Sequence, residues 1–143
     1  ALAGPLHGLA NYAALLVMEM CRLPAAGLEA AQLRHGPLEV GRPDLAVTAF
    51  AADGATRDLI VRLARDVAAT GARSIVLDAS RRDGAEAGDG DAGVLRWPLE
   101  ALPEADAIAP LAAVCQMAAY RLARARGIAP GVPLRSSKVT REE

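Results

Sequence analysis

Four groups in this 143-residue chain are of types, and in settings, that could do chemistry. Glu19 comes first. From Ala1 to Cys21 it is the only acidic or basic side chain apart from His7. A carboxylate on an almost wholly apolar helix is expected to be partly buried. Burial raises a carboxyl pKa toward the range of a general base at neutrality. Taken alone the residue favours a plainer role, an ion pair with Arg22 one turn on, at the solvent edge. His35 stands in Arg34-His35-Gly36-Pro37, where a Gly-Pro turn would hold an imidazole at a site edge for proton transfer. The plainer alternative is an ordinary loop histidine. His7, at a helix start, reads as structural.

Lys138 is the only lysine among 16 basic residues. Arginine stays charged, so Lys138 alone among the basic side chains could become an amine nucleophile. On a terminal segment a solvated lysine is the commoner case. Asp89-Gly90-Asp91 is too short a run of oxygen ligands for an EF-hand and reads as a flexible acidic loop. There is no zinc-ligand spacing, no dinucleotide or phosphate glycine loop, and no nucleophile elbow.

Alternating strands and helices must position these groups. Residues 1–3 read as the stub of a strand. A helix follows from about Leu6 to Leu23, stopped with the help of Pro24. A short helical piece is expected around Leu28–Arg34, before the breaker pair Gly36-Pro37. The uncharged run Leu45–Ala51 suits a buried parallel strand. A helix over Ala55–Thr70 places Leu59, Ile60, Leu63 and Val67 on one face. On the other face Asp58–Arg62 and Arg62–Asp66 are spaced for ion pairs. Gly71 ends that helix. Strands follow at Ser74–Asp78 and Val94–Trp97, with a polar glycine-rich loop between them. A last helix runs from about Ile108 to Arg126, with Pro110 in its first turn and Gly127 past its end. This order predicts an α/β fold with a parallel sheet, whose ligands gather at the carboxyl ends of the strands.

Composition bounds the function. The apolar share is 52% and the charged share 23%, as in one globular domain with a single core. Aromatics are 3% and net charge is −1, which argues against nucleic-acid stacking and against a basic membrane or nucleic-acid patch. No segment has the apolar length to span a bilayer. The apolar start has no basic leader and is interrupted by Gly4, Pro5 and Gly8, unlike a signal peptide. Cys21 and Cys115 lie in apolar helical patterns, as buried free thiols of a reducing cytoplasm would.

Three short motifs carry a resemblance. The first is Gly4-Pro5-Leu6-His7-Gly8-Leu9-Ala10, leading into the helix with Glu19. The second is His35-Gly36-Pro37-Leu38, its histidine sixteen residues beyond Glu19. The third is the proline-containing tail ending Ser137-Lys138-Val139-Thr140. In this order and spacing the chain resembles the second SIS (sugar isomerase) domain of the isomerase region of glucosamine-6-phosphate synthase. It is similar in the same way to related phosphosugar isomerases and deaminases. The resemblance implies a three-layer α/β/α sandwich with a parallel, flavodoxin-like sheet. It implies residues 1–127 as the second SIS domain of a pair, its first strand cut short, and residues 128–143 as a tail carrying the lysine.

For activity, the resemblance implies proton transfer on hexose 6-phosphates through an enediol or enolamine. Glu19 would move the proton between C1 and C2. His35 would assist ring opening, often from a neighbouring subunit, and Lys138 would contact or bond the carbonyl carbon. No metal or organic cofactor is implied. The partners implied are a sugar phosphate and a preceding SIS domain or second subunit, in a cytoplasmic homodimer. Three positions depart from the family. Leu16 and Met18 stand where it usually has lysines, and Gln32 where it has a glutamate. Its phosphate-cradling Ser/Thr loops belong to the partner domain. A non-catalytic module that binds phosphosugars or mediates dimerisation is therefore the second reading. The abrupt start at Ala1 predicts that the encoded protein extends upstream.

Overall fold

A computed structural model describes residues 5–81 and 93–134. The strand stub at residues 1–3, most of the glycine-rich loop with Asp89 and Asp91, and Lys138 lie outside the described residues. The elements run in the order α1 (Leu6–Cys21), α2 (Ala30–Arg34), a 3₁₀ turn (Pro37–Val40), β1 (Ala46–Ala52), α3 (Arg57–Ala69), β2 (Arg73–Ala79), β3 (Val94–Pro98) and α4 (Glu104–Ala125). The strands form one parallel sheet in the order β1-β2-β3. The expected α/β architecture is present.

Side chains alternate across a strand, and this alternation divides the core into two layers. Ala49, Ala51 and Val76 face α3, where Ala64 completes their cluster. Phe50, Ala52, Leu77 and Ala79 face the other way, onto Leu6 and Leu9 of α1 and Ala107, Leu111 and Cys115 of α4. Small residues on both sides let helices approach the sheet closely. α1 and α4 lie side by side and run in the same direction. Tyr12 meets Gln116, whose Nε2 donates to the tyrosine hydroxyl at 2.6 Å. Farther along, Cys21 packs with Ala119 and Ala123.

Four expectations need correction. α3 buries Val61, Leu63, Ala64 and Val67, while Leu59 is 49% exposed. Its apolar stripe is therefore rotated from the one anticipated, because alanine and Val61 fit against the sheet better than Leu59. The ion pairs are also different: Arg57 Nη1 meets Asp58 at 3.1 Å, and Asp66 pairs with Arg34 of α2. α1 ends at Cys21, two residues early, because Arg22 turns left-handed (φ 55°) and donates its N–H to the Met18 carbonyl. α4 begins at Glu104, four residues early, so Pro110 lies inside it rather than in its first turn. The start is set by tertiary anchors: Glu104 N donates to the Asp53 carbonyl at 3.2 Å, and the Thr56 hydroxyl donates to Glu104 Oε1. Acidic Glu104 and Asp106 in the first turn also favour that end of the helix dipole.

Both cysteines are free and buried. Burial pushes the Cys115 thiol up to about 11 and raises that of Cys21. These are packing groups, as expected. Among the described residues no helix is long and apolar enough to cross a membrane.

Candidate functional site

Parallel α/β sheets direct attention to the carboxyl ends of their strands. In this chain its own backbone roofs that edge. After β3 the segment 99–104 crosses back over β2 toward β1. Leu99 N donates to the Asp78 carbonyl at 2.7 Å, Leu102 N to Ala79 at 2.8 Å, and Asp53 N to Leu102 at 2.9 Å. Side chains also join the strand ends and the start of α3 to one another. Arg57 Nε donates to Ser80 Oγ at 3.1 Å, and Asp53 Oδ1 accepts from Arg81 N at 2.7 Å. Ser80 in turn donates its hydroxyl to Asp78 Oδ1 at 2.5 Å and its N–H at 3.0 Å.

Beneath this edge lies a buried ion pair, Asp78 Oδ2 to Arg96 Nη1 at 3.6 Å, with side chains 0% and 14% exposed. The separation makes it a charge pair rather than a hydrogen bond. This network was not anticipated from sequence. Its one signal is Arg96 within the otherwise apolar strand Val94–Pro98. In register, Arg96 opposes Val76 and Pro98 opposes Asp78, which sets both charged groups on the α3 face.

The opposite end of the helical layer is different. Leu15, Met18, Glu19 and Arg22 follow the i, i+3, i+4, i+7 rule and form one exposed stripe of α1. Glu19 is exposed, not partly buried, because α1 turns Leu6, Leu9, Ala14 and Cys21 inward instead. The anticipated pairing with Arg22 does not form either. Arg22 Nη2 donates to the carbonyl of Val132 at 3.3 Å, on the segment that follows α4. Among the described residues Glu19 has no hydrogen bond or ion pair. Half-exposed Leu15 and Met18 flank it.

His35 is exposed at the end of α2. There Gly36 takes φ 148°, a region that side-chain-bearing residues rarely adopt. Gln32, at the position where the resemblance expects a glutamate, closes a capping box by accepting from Glu29 N at 2.9 Å. α2 packs on α3, with Leu33 and Ala30 against Leu63 and Val67. Glu19 and His35 therefore belong to helices on opposite faces of the sheet and are not brought together within one chain. His7 accepts from Asn11 Nδ2 through Nε2 at 3.1 Å, a local contact that suits its structural reading. Among the described residues no group of three or more His, Cys, Asp or Glu side chains could hold a metal ion.

No family model matches this sequence, and no curated protein matches it. Solved structures do. The chain is similar to the C-terminal domain of glucosamine-fructose-6-phosphate aminotransferase from Francisella tularensis, with 20% identity and a TM-score of 0.72. That match covers 85% of this chain and 33% of the other. It is also similar to a candidate phosphosugar isomerase from Silicibacter pomeroyi, with 26% identity and a TM-score of 0.58, over 85% of this chain and 35% of the other. The chain thus spans about a third of the length of each structure. By fold it is an SIS-type α/β domain, as the resemblance implied.

Proposed function

We propose that this chain supplies one half of the site of a phosphosugar isomerase or aminosugar-phosphate enzyme acting on hexose 6-phosphates. Glu19 takes the proton from one of C1 and C2 of the open-chain sugar, giving an enediol or enolamine, and returns it to the other carbon. Lys138 contacts or bonds the carbonyl carbon. His35 assists ring opening, supplied by a neighbouring chain. Residues 1–127 pair with a preceding SIS domain or a second subunit, and residues 128–143 form the tail that brings the lysine.

The observation that carries this reading is Glu19 itself: a carboxylate without a polar partner among the described residues, set between exposed Leu15 and Met18. When a partner covers that stripe, the carboxylate loses water without gaining an ion pair from its own helix. A carboxylate so placed is free to accept a proton from a bound sugar. Two further features support the reading. His35 lies across the sheet from Glu19, which suits a histidine delivered between chains. The described part of the tail meets α1 three residues beyond Glu19, at Arg22. Lys138 is six residues past Val132, a span of at most about 21 Å.

The test is turnover of hexose 6-phosphates by the intact protein, with and without Glu19→Gln. Equal turnover by the variant refutes the assignment. Borohydride reduction with a ketose phosphate should modify the single lysine. A second reading, a phosphosugar-binding or dimerising module without turnover, is favoured by Leu16, Met18 and Gln32. Stabilisation by sugar phosphates without Glu19-dependent turnover would select it.

A further inference from the structure

We infer that Arg22 is a positioning residue, a latch that fixes where the tail leaves the domain relative to α1. The inference rests on the proposed function in one respect: the tail matters for catalysis only if Lys138 does.

Three observations converge on this junction. First, Arg22 is the only non-glycine with positive φ among the described residues. Helices usually reserve that left-handed closing position for glycine, whose missing Cβ makes it cheap. An arginine retained there points to a use for its side chain. Second, the side chain has such a use: Nη2 reaches the Val132 carbonyl, 110 residues away in sequence. The left-handed turn directs Arg22 away from the α-helical path and toward the segment following α4. Third, the same place is sealed by apolar packing. Cys21, Ala119 and Ala123 form a buried cluster onto which Leu23 and Ile128 pack, and Cys21 Sγ donates to the Ala119 carbonyl at 3.3 Å.

The packing brings the tail's root to the end of α1. The Arg22 bond then fixes the backbone at Val132, two residues before Leu134 and six before Lys138. Glu19 lies one turn before Arg22 on the same exposed stripe. One residue thus couples the helix carrying the proposed base to the segment carrying the proposed lysine.

Arg22→Gly separates this role from that of a helix stop. Glycine suits the left-handed backbone better than arginine, so a residue that merely ends α1 would be replaced without loss. The experiment is amide hydrogen exchange of the intact protein, with Arg22→Gly and Arg22→Lys beside the parent. The expected result is at least tenfold faster exchange in Arg22→Gly at the Val132 amide, which donates to the Ala129 carbonyl at 3.4 Å, with α1 protection and melting temperature unchanged or raised. Arg22→Lys, which keeps a donor, should recover part of the protection. Unchanged exchange at the Val132 amide in Arg22→Gly overturns the latch. This readout does not depend on turnover, so it stands even if the proposed activity fails. Where the parent turns over substrate, Arg22→Gly should lower kcat more than it raises KM, and should reduce the yield of trapped lysine.

Discussion

The carboxyl edge of the sheet and the outer stripe of α1 are both polar in part, yet they are built in opposite ways. At the edge, intrachain bonds join Arg57, Ser80 and Asp78 in one chain of contacts and Asp53 with Arg81 in another. Segment 99–104 then crosses the same edge, bonded to the backbone of Asp78, Ala79 and Asp53. On α1, Glu19 is exposed among Leu15 and Met18 with no such partner among the described residues. Buried polar groups left without partners cost folding their desolvation; here Ser80 bonds one Asp78 oxygen, and Asp78 Oδ2 faces Arg96 Nη1 as a charge pair at 3.6 Å, an arrangement that marks stability. A carboxylate beside Leu15 and Met18 has no such explanation among the described residues. The general rule about strand ends pointed to the first region, and side-chain partnering points to the second.

This contrast can be broken from either side. The largest effect is expected at Glu19. Glu19→Gln should lower turnover about 10²–10⁴-fold, the range of a general base, while unfolding free energy shifts by less than about 0.5 kcal/mol, as for other exposed positions. A large loss of stability would place Glu19 in the structural class instead. At the strand edge the reverse should hold. Asp78→Ala leaves the Arg96 charge buried beside it and should cost about 3 kcal/mol or more in urea unfolding. A near-neutral result would show that the network is dispensable.

α3 offers a smaller, internal comparison. Leu63, 4% exposed, faces the cluster with Val67 and Ala72. Leu63→Ala should cost about 2–5 kcal/mol, whereas Leu59→Ala should stay within about 1 kcal/mol. Equal losses would restore the stripe first expected for this helix. The smallest effect concerns Cys115. Burial raises its thiol from the ordinary 9.0 to about 11. The folded chain therefore holds that proton when the unfolded chain has lost it. Stability from this group is complete below pH 9 and falls as pH rises from about 9 toward 11. Thiol titration at pH 8 should find Cys115 unreactive until denaturant is added; prompt labelling would contradict its burial.

Much of the fold was legible because it rests on local patterns. The apolar runs at residues 45–51 and 74–78, the stops at Gly71 and Gly127, and the apolar first helix each appear close to their expected bounds. Both glycines have the positive φ that a helix end requires. The start of α4 was misplaced because Thr56 and Asp53, some fifty residues upstream, determine it. The face of α3 was misjudged because spacing alone cannot rank Leu59 against Val61 and Ala64 when the sheet admits small residues. The burial of Glu19 was misjudged for a related reason: an apolar helix is not apolar-faced all round, and only its neighbours decide which stripe is covered.

The sequence by itself determined the class of architecture, singled out Glu19, His35 and Lys138 as candidate groups, and set the order of motifs that carries the resemblance. These follow from residue type and spacing, which are properties of the chain before it folds. Tertiary structure decided which groups have partners. It put Glu19 and His35 on helices at opposite faces, sealed the strand edge with the chain's own segment 99–104, and turned Arg22 toward Val132. Those outcomes depend on contacts between residues far apart in sequence, whose energies no local pattern encodes.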